Sequence, residues 1–280
     1  MLYIIFIMSK SEDMGKLILV IPDVHGRLFW KSPVKRYLQQ AERIVFLGDY
    51  LDPYNDEGTE YSPEDIVHNL QEIIDLKEKN MQKVVLLKGN HDQHYASEWF
   101  RDIAGGTRMD LQNWTKYHDF FCEYKDLFQI VHREDVGGRP YVFSHAGITQ
   151  YWLHRVNDQL WHLPDEQLSL ADRDILRRIN LLDEDGIGQD MLGVVGSTRS
   201  WMGEETGGVL WADVDEHSMA VSSSTYALDK VFQVFGHSRL YGGHPDMIAW
   251  ANGAMIDSQQ CFVIDEGRSE PIVSVREYES

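Results

Sequence analysis

The chain has 280 residues, and its 45 acidic against 26 basic side chains leave a formal net charge of -19. Hydrophobic residues make up 43% and aromatics 11%, which is too apolar for a disordered polyanion and enough to bury a substantial core. So acidic a surface disfavours nucleic acid, whose phosphates are held by clustered Lys and Arg, and equally disfavours anionic membranes.

Cys122 and Cys261 stand far apart, which excludes a disulfide scaffold and any recognisable cysteine metal or redox spacing, so a reducing cytoplasm is the expected location. The apolar start, residues 1–8, is shorter than the roughly 20 residues that cross a bilayer. It also lacks the charged opening and cleavage site of a secretory signal. It reads as a short extra strand or a mis-assigned start, because Met14-Gly15-Lys16 opens directly onto a good strand.

Residues 16–21 form a β-branched apolar run ended by Pro22-Asp23, a buried strand by pattern. Ser32-Pro33 starts a helix to about residue 40, and residues 43–47 make a second strand stopped by Gly48-Asp49. Ser62-Pro63 starts another helix, with Ile66, Leu70, Ile73 and Ile74 along one face, and residues 83–87 form a third strand. This alternation predicts a parallel sheet, with ligands beyond the carboxyl ends of its strands. Residues 95–130 read as two helices broken near Gly105-Gly106, and residues 141–143 as a fourth strand. Residues 151–190 are helical and charged, like an insertion or cap; strands follow at 231–235, 254–256, 261–264 and 272–275. No repeat or linker divides the chain, so residues 1–280 are read as a single domain carrying that helical insertion.

His25, His91, His145 and His237 lie in glycine-containing loops that end apolar strands. Asp23 shares the loop of His25 and Asn90 that of His91, and Asp49 follows Gly48 at the end of a further apolar strand, each as an oxygen donor. Carboxylate, amide oxygen and imidazole without cysteine suit a borderline or hard divalent metal: Mn, Fe, Zn or Ni, with Mn the first choice.

In order, Asp23-Val24-His25-Gly26, Gly48-Asp49-Tyr50-Leu51-Asp52, Gly89-Asn90-His91-Asp92, Ser144-His145-Ala146-Gly147 and Gly236-His237-Ser238 resemble the motifs of calcineurin-like metallophosphoesterases. Leu210-Trp211-Ala212-Asp213 adds a similarity to the phosphoprotein phosphatase branch, and the resemblance covers about residues 16–257. It implies an α/β fold, the four-layer αββα sandwich of two mixed sheets with helices outside. It also implies two divalent metal ions, the first held by Asp23, His25 and Asp49, with Asp49 bridging to a second completed by Asn90, His145 and His237. A hydroxide bridging the pair would attack a phosphate ester, His91 would protonate the leaving oxygen, and Asp52 would orient His91. The expected activity is a phosphomonoesterase resembling serine/threonine protein phosphatases. A dinucleoside polyphosphate hydrolase or phosphodiesterase is the alternative enzyme, and a non-catalytic metal-binding scaffold the alternative of another class.

One departure stands out. In phosphoprotein phosphatases the second motif continues into an arginine that clamps the substrate phosphate, whereas Asp52 is followed by Pro53-Tyr54. Arg199 is the preferred replacement, then Arg27 and Arg239, since a guanidinium can fork onto phosphate from any of these places. His94, His118, His154, His162, His217 and His244 read as surface or satisfied core histidines, Trp152, Trp161, Trp201 and Trp211 as core and cap packing, and residues 183–185 with Glu204-Glu205 as solvated charge.

Overall fold

The computed structural model describes residues 15–54, 61–103, 107–184, 186–221, 230–240 and 246–280. The expectations for the N-terminal strand or start, for the break at Gly105-Gly106 and for His244 lie outside these residues.

The first half alternates as the pattern predicts: β1 (Leu17–Ile21), α1 (Lys31–Tyr37), β2 (Arg43–Phe46), α2 (Pro63–Lys79) and β3 (Val84–Leu87). α2 begins where it does because the Ser62 side chain accepts from the Asp65 N–H while the Asp65 side chain accepts from the Ser62 N–H, with Pro63 opening the helix. α3 (Asn90–Ala96), α4 (Glu98–Ile103) and α5 (Trp114–Tyr124) follow, then β4 (Phe128–Gln129), β5 (Val131–Val136), β6 (Arg139–Ser144), α6 (Gln150–Val156), α7 (Arg173–Leu181), α8 (Gly186–Leu192) and α9 (Val214–Val221). β7 (Phe232–Phe235), β8 (Ile248–Trp250), β9 (Gly253–Met255), β10 (Phe262–Asp265), β11 (Val273–Ser274) and α10 (Val275–Tyr278) complete the chain.

The strands make two mixed sheets, ordered β11-β10-β1-β2-β3-β4 and β5-β6-β7-β9-β8. β1, β2, β3 and β4 run parallel, as do β6, β7 and β9. Side chains alternate across β1: Leu17, Leu19 and Ile21 pack with Val34 of α1 and Ile73 of α2, while Ile18 and Val20 face Phe143 of β6 and Val234 of β7. A third apolar cluster joins Val131 and Val142 of β5 and β6 to Trp152, Leu153, Ile175 and Ile179 of α6 and α7. Helices, sheet, sheet, helices is the four-layer αββα sandwich. Each fully buried aliphatic or aromatic side chain here contributes about 1.5–3 kcal/mol.

Helices α6, α7 and α8, expected as an insertion or cap, form the outer layer of the second sheet. Asn180 of α7 docks there through its side chain, which accepts from the N–H of Ile130 and Val131 and donates to the Val131 carbonyl. β5 escaped the pattern because its sequence, Val-His-Arg-Glu-Asp-Val, is polar. Its Glu134 is buried among Lys16, Arg43 and His132, which satisfy the charge.

Candidate metal centre

Asp23 and His25 follow β1, Asp49 and Asp52 follow β2, and Asn90 and His91 open α3 immediately beyond β3. Because these strands are parallel neighbours, their carboxyl ends lie side by side. His145 and His237 follow β6 and β7, parallel neighbours in the other sheet. The six expected ligands therefore converge from both sheets.

Three groups keep their candidate ligand atoms within 4.8 Å of one another: Asp23, His25 and Asp49; Asp49, His145 and His237; and Asp52, His91 and His94. Asp49 belongs to the first two, its Oδ2 lying 3.4 Å from His25 Nε2 and 3.5 Å from His145 Nε2. Asn90 Oδ1 is 3.0 Å from His145 Nε2. His25 and His145 turn Nδ1 to the carbonyls of Leu51 and Leu47 at 2.8 and 3.0 Å. With Nδ1 donating, each Nε2 presents a lone pair to the cluster.

The backbone is bent to achieve this. His25, Asp49, Asp52 and His237 all take left-handed φ, between 46° and 68°, a conformation that costs on the order of 1 kcal/mol and persists only where neighbours enforce it. Asp92, which the sequence reading left without a role, is one enforcer: its carboxylate accepts from the N–H groups of Asp49, Tyr50 and Gly89 at 2.7–2.8 Å. Asp49 in turn accepts from the His91 N–H at 2.9 Å. Close approach demands glycine at two places, since a Cβ on Gly89 would stand 2.1 Å from Asp49 Oδ1 and one on Gly236 1.9 Å from Asp23 Oδ2.

Burial dominates the electrostatics. It raises the Asp23 carboxyl to about 6 although His145 opposes, raises Asp49 as well, and pushes His25 and His237 well below the usual imidazole range. His237 Nε2 is buried with no hydrogen-bond partner among the described residues. Two crowded carboxylates and an orphaned lone pair are what a divalent cation relieves, so the donor set fits metal. Neither cysteine joins these clusters.

His91 Nδ1 stands 2.6 Å from Asp52 Oδ2, and Tyr95 donates its hydroxyl to the other Asp52 oxygen. Burial lowers His91 to about 4 and raises Asp52 to about 7. For His91 desolvation thus outweighs the pull of the Asp49 charge toward imidazolium. His94, read as a surface or satisfied histidine, is buried with neither ring nitrogen hydrogen-bonded among the described residues, close to this pair. Asp183, read as solvated charge, instead pairs with buried Lys88 beside the third motif.

His91 and Asp49 open onto a cavity of about 590 Å³. Arg199 lines it, with Nη2 3.0 Å from Asp213 Oδ2 and 3.5 Å from Ser238 Oγ. Arg239 lines it too, stacked over Tyr54. Arg27 does not: buried, it donates to the carbonyls of Val24 and Asp23 at 3.0 and 2.8 Å and braces the first loop. No described residue of 151–190 reaches the cavity, whereas Trp211, read as packing, forms part of its wall. The sequence reading missed Arg108, whose Nη2 is 3.3 Å from His91 Nε2 and whose guanidinium also donates to the Asp52 carbonyl. Its one signal was the preceding Gly105-Gly106-Thr107, a glycine-rich setting like that of Arg199. Asp257, just after β9, was missed as well; it is fully buried and raised well above the carboxylate range by burial and by Asp23.

Residues 16–245 match the calcineurin-like phosphoesterase family, and the chain belongs to it: a metal-dependent hydrolase of phosphoric esters. Among solved structures, a protein serine/threonine phosphatase from Saccharomyces cerevisiae with similarity to human phosphatase PP5 is 13% identical, with a TM-score of 0.52 over 94% of this chain and 80% of that one. The phosphatase domain of the Legionella effector WipB is 14% identical, with a TM-score of 0.41 over 75% and 77% of the two chains. At such identity the first likeness speaks to the fold. No curated protein matches the sequence. Among the described residues no helix is long and apolar enough to cross a membrane.

Proposed function

We propose that the chain is a phosphomonoesterase with a dinuclear metal centre, acting on phosphopeptides or small phosphate esters. The membership of Asp49 in two buried clusters, beside His91 and the arginine-lined cavity, carries this reading. Asp23, His25 and Asp49 would hold one ion, and Asp49, Asn90, His145 and His237 the other. Bound there, two divalent cations supply Lewis acidity and lower the pKa of a water molecule so that it can act as nucleophile. Asp49 and Asp92 fix the floor against which the ester lies. The negative charge of a bound phosphate would raise His91 back toward imidazolium, and His91, lining the cavity with its Nδ1 held by Asp52, is then the group that hands a proton to the leaving oxygen.

Chelator-treated protein reloaded with Mn²⁺ tests this against p-nitrophenyl phosphate and bis-p-nitrophenyl phosphate. Preferential turnover of the monoester supports the proposal. Preference for the diester, or for diadenosine polyphosphates over phosphopeptides, replaces it with the diesterase reading. With metal demonstrably bound, turnover of neither leaves a binding scaffold.

A further inference from the structure

The chain lacks the arginine that follows the second motif in phosphoprotein phosphatases and carries Tyr54 two residues after Asp52. Around that tyrosine the fold gathers cations from segments far apart in sequence. Arg108 stacks over the Tyr54 ring, its guanidinium carbon 3.5 Å from the ring centroid, and Arg239 stacks over the same ring at 3.9 Å. All three side chains line the cavity in front of Asp49 and His91.

We propose that Arg108 and Arg239, organised by Tyr54, form the substrate-phosphate clamp of this enzyme and select dianionic monoesters over monoanionic diesters. The inference rests on the hydrolase reading above and deepens it. A guanidinium lying flat on an aromatic face keeps its N–H edge available for a bidentate fork onto phosphate, and the stacking restricts its rotamers before substrate arrives. Arg108 Nη1 also donates to the Asp52 carbonyl and Nη2 stands 3.3 Å from His91 Nε2, which holds the guanidinium beside the proton donor and leaves each terminal nitrogen a second N–H for the ester oxygens. Among the described residues Arg108 has no ion pair with a carboxylate, whereas Arg199 spends its charge on Asp213. A monoester offers three non-bridging oxygens and two charges to such a pair; a diester offers two oxygens and one charge. In a protein of net charge -19, such local cations must do the attracting.

The test uses the full Mn²⁺-loaded chain, with p-nitrophenyl phosphate, its bis analogue, and inorganic phosphate as competing ligand. Arg108→Ala should raise KM for the monoester about tenfold or more, as expected for losing a charged bidentate contact. It should weaken inhibition by inorganic phosphate in proportion, keep its metal content, and change diester turnover much less. Arg108→Lys, retaining charge without the fork, should fall between. Tyr54 is a positioning residue: Tyr54→Leu should raise monoester KM more than it lowers kcat, while Tyr54→Phe, which keeps the ring, recovers most of the phosphate affinity. Unchanged KM and phosphate inhibition in a folded, metal-loaded Arg108→Ala overturns the clamp, and an equal loss on both substrates overturns the selection. If the wild type turns over neither ester, the hydrolase reading fails. Calorimetric binding of inorganic phosphate to wild type and Arg108→Ala then decides the clamp separately, equal affinities overturning it.

Discussion

The site has a floor and a wall, and the two are built differently. The floor consists of residues one to four positions beyond apolar strands, locked by backbone donors, by Asp92 and by obligatory glycines. The wall consists of Arg108, Tyr54, Arg199 and Arg239, which reach the cavity from loops and are held by stacking and side-chain polar contacts. Precision is concentrated where the proposed cations would be held, and adaptability where substrates differ.

If that contrast is right, the floor should fail completely and the wall by degrees. Asp49→Ala should abolish turnover and empty both metal positions together. Its loss of metal affinity should exceed the roughly 10–100-fold cost of removing an outer-shell partner. Metal analysis after gel filtration checks this, and retention of one full equivalent would show that Asp49 is not shared. His91→Asn stands at the boundary: turnover should drop about 10²–10⁴-fold, the range for a lost general acid, with metal content near normal. Asp92→Ala should lower metal affinity about 10–100-fold by releasing the Asp49 turn; a loss of kcat without any change in metal titration would move Asp92 out of the floor. Arg199→Ala should raise KM about tenfold or less and leave metal binding intact, because its charge is already shared with Asp213.

A control outside the site calibrates the comparison. Glu134 is held at about 2: burial alone would raise it, but the hydrogen bonds from His132 and Lys16 and the Arg43 charge prevail. A depressed folded-state value contributes stability above the unfolded value of 4.5 that is lost as pH falls toward 2. Glu134→Gln should therefore cost about 1–3 kcal/mol near neutral pH, and its denaturation midpoint should approach that of wild type through that acid window, with metal content unchanged.

The same division explains what could be read from sequence. Asp23, His25, Asp49, Asn90, His145 and His237 were legible because each sits in a short loop behind a strand, so local order already fixes where it points. Arg108 and Asp257 were not, because their relation to the centre exists only once distant segments meet. Arg27 looked like a phosphate ligand for its nearness to His25, yet the first loop has carbonyls to satisfy and the guanidinium turns to them. β5 hid because charge satisfied across the sheets erases the apolar alternation on which strand recognition depends.

The ligands proposed for the second ion come from both sheets, with Asp49 and Asn90 on one side and His145 and His237 on the other. A cation held there is a cross-brace between the two halves of the sandwich, so the melting temperature becomes a function of the medium. Free metal at a hundred times its dissociation constant would add about 2.7 kcal/mol to folding. Scarcity of the ion would register as a shorter-lived protein as well as a slower one.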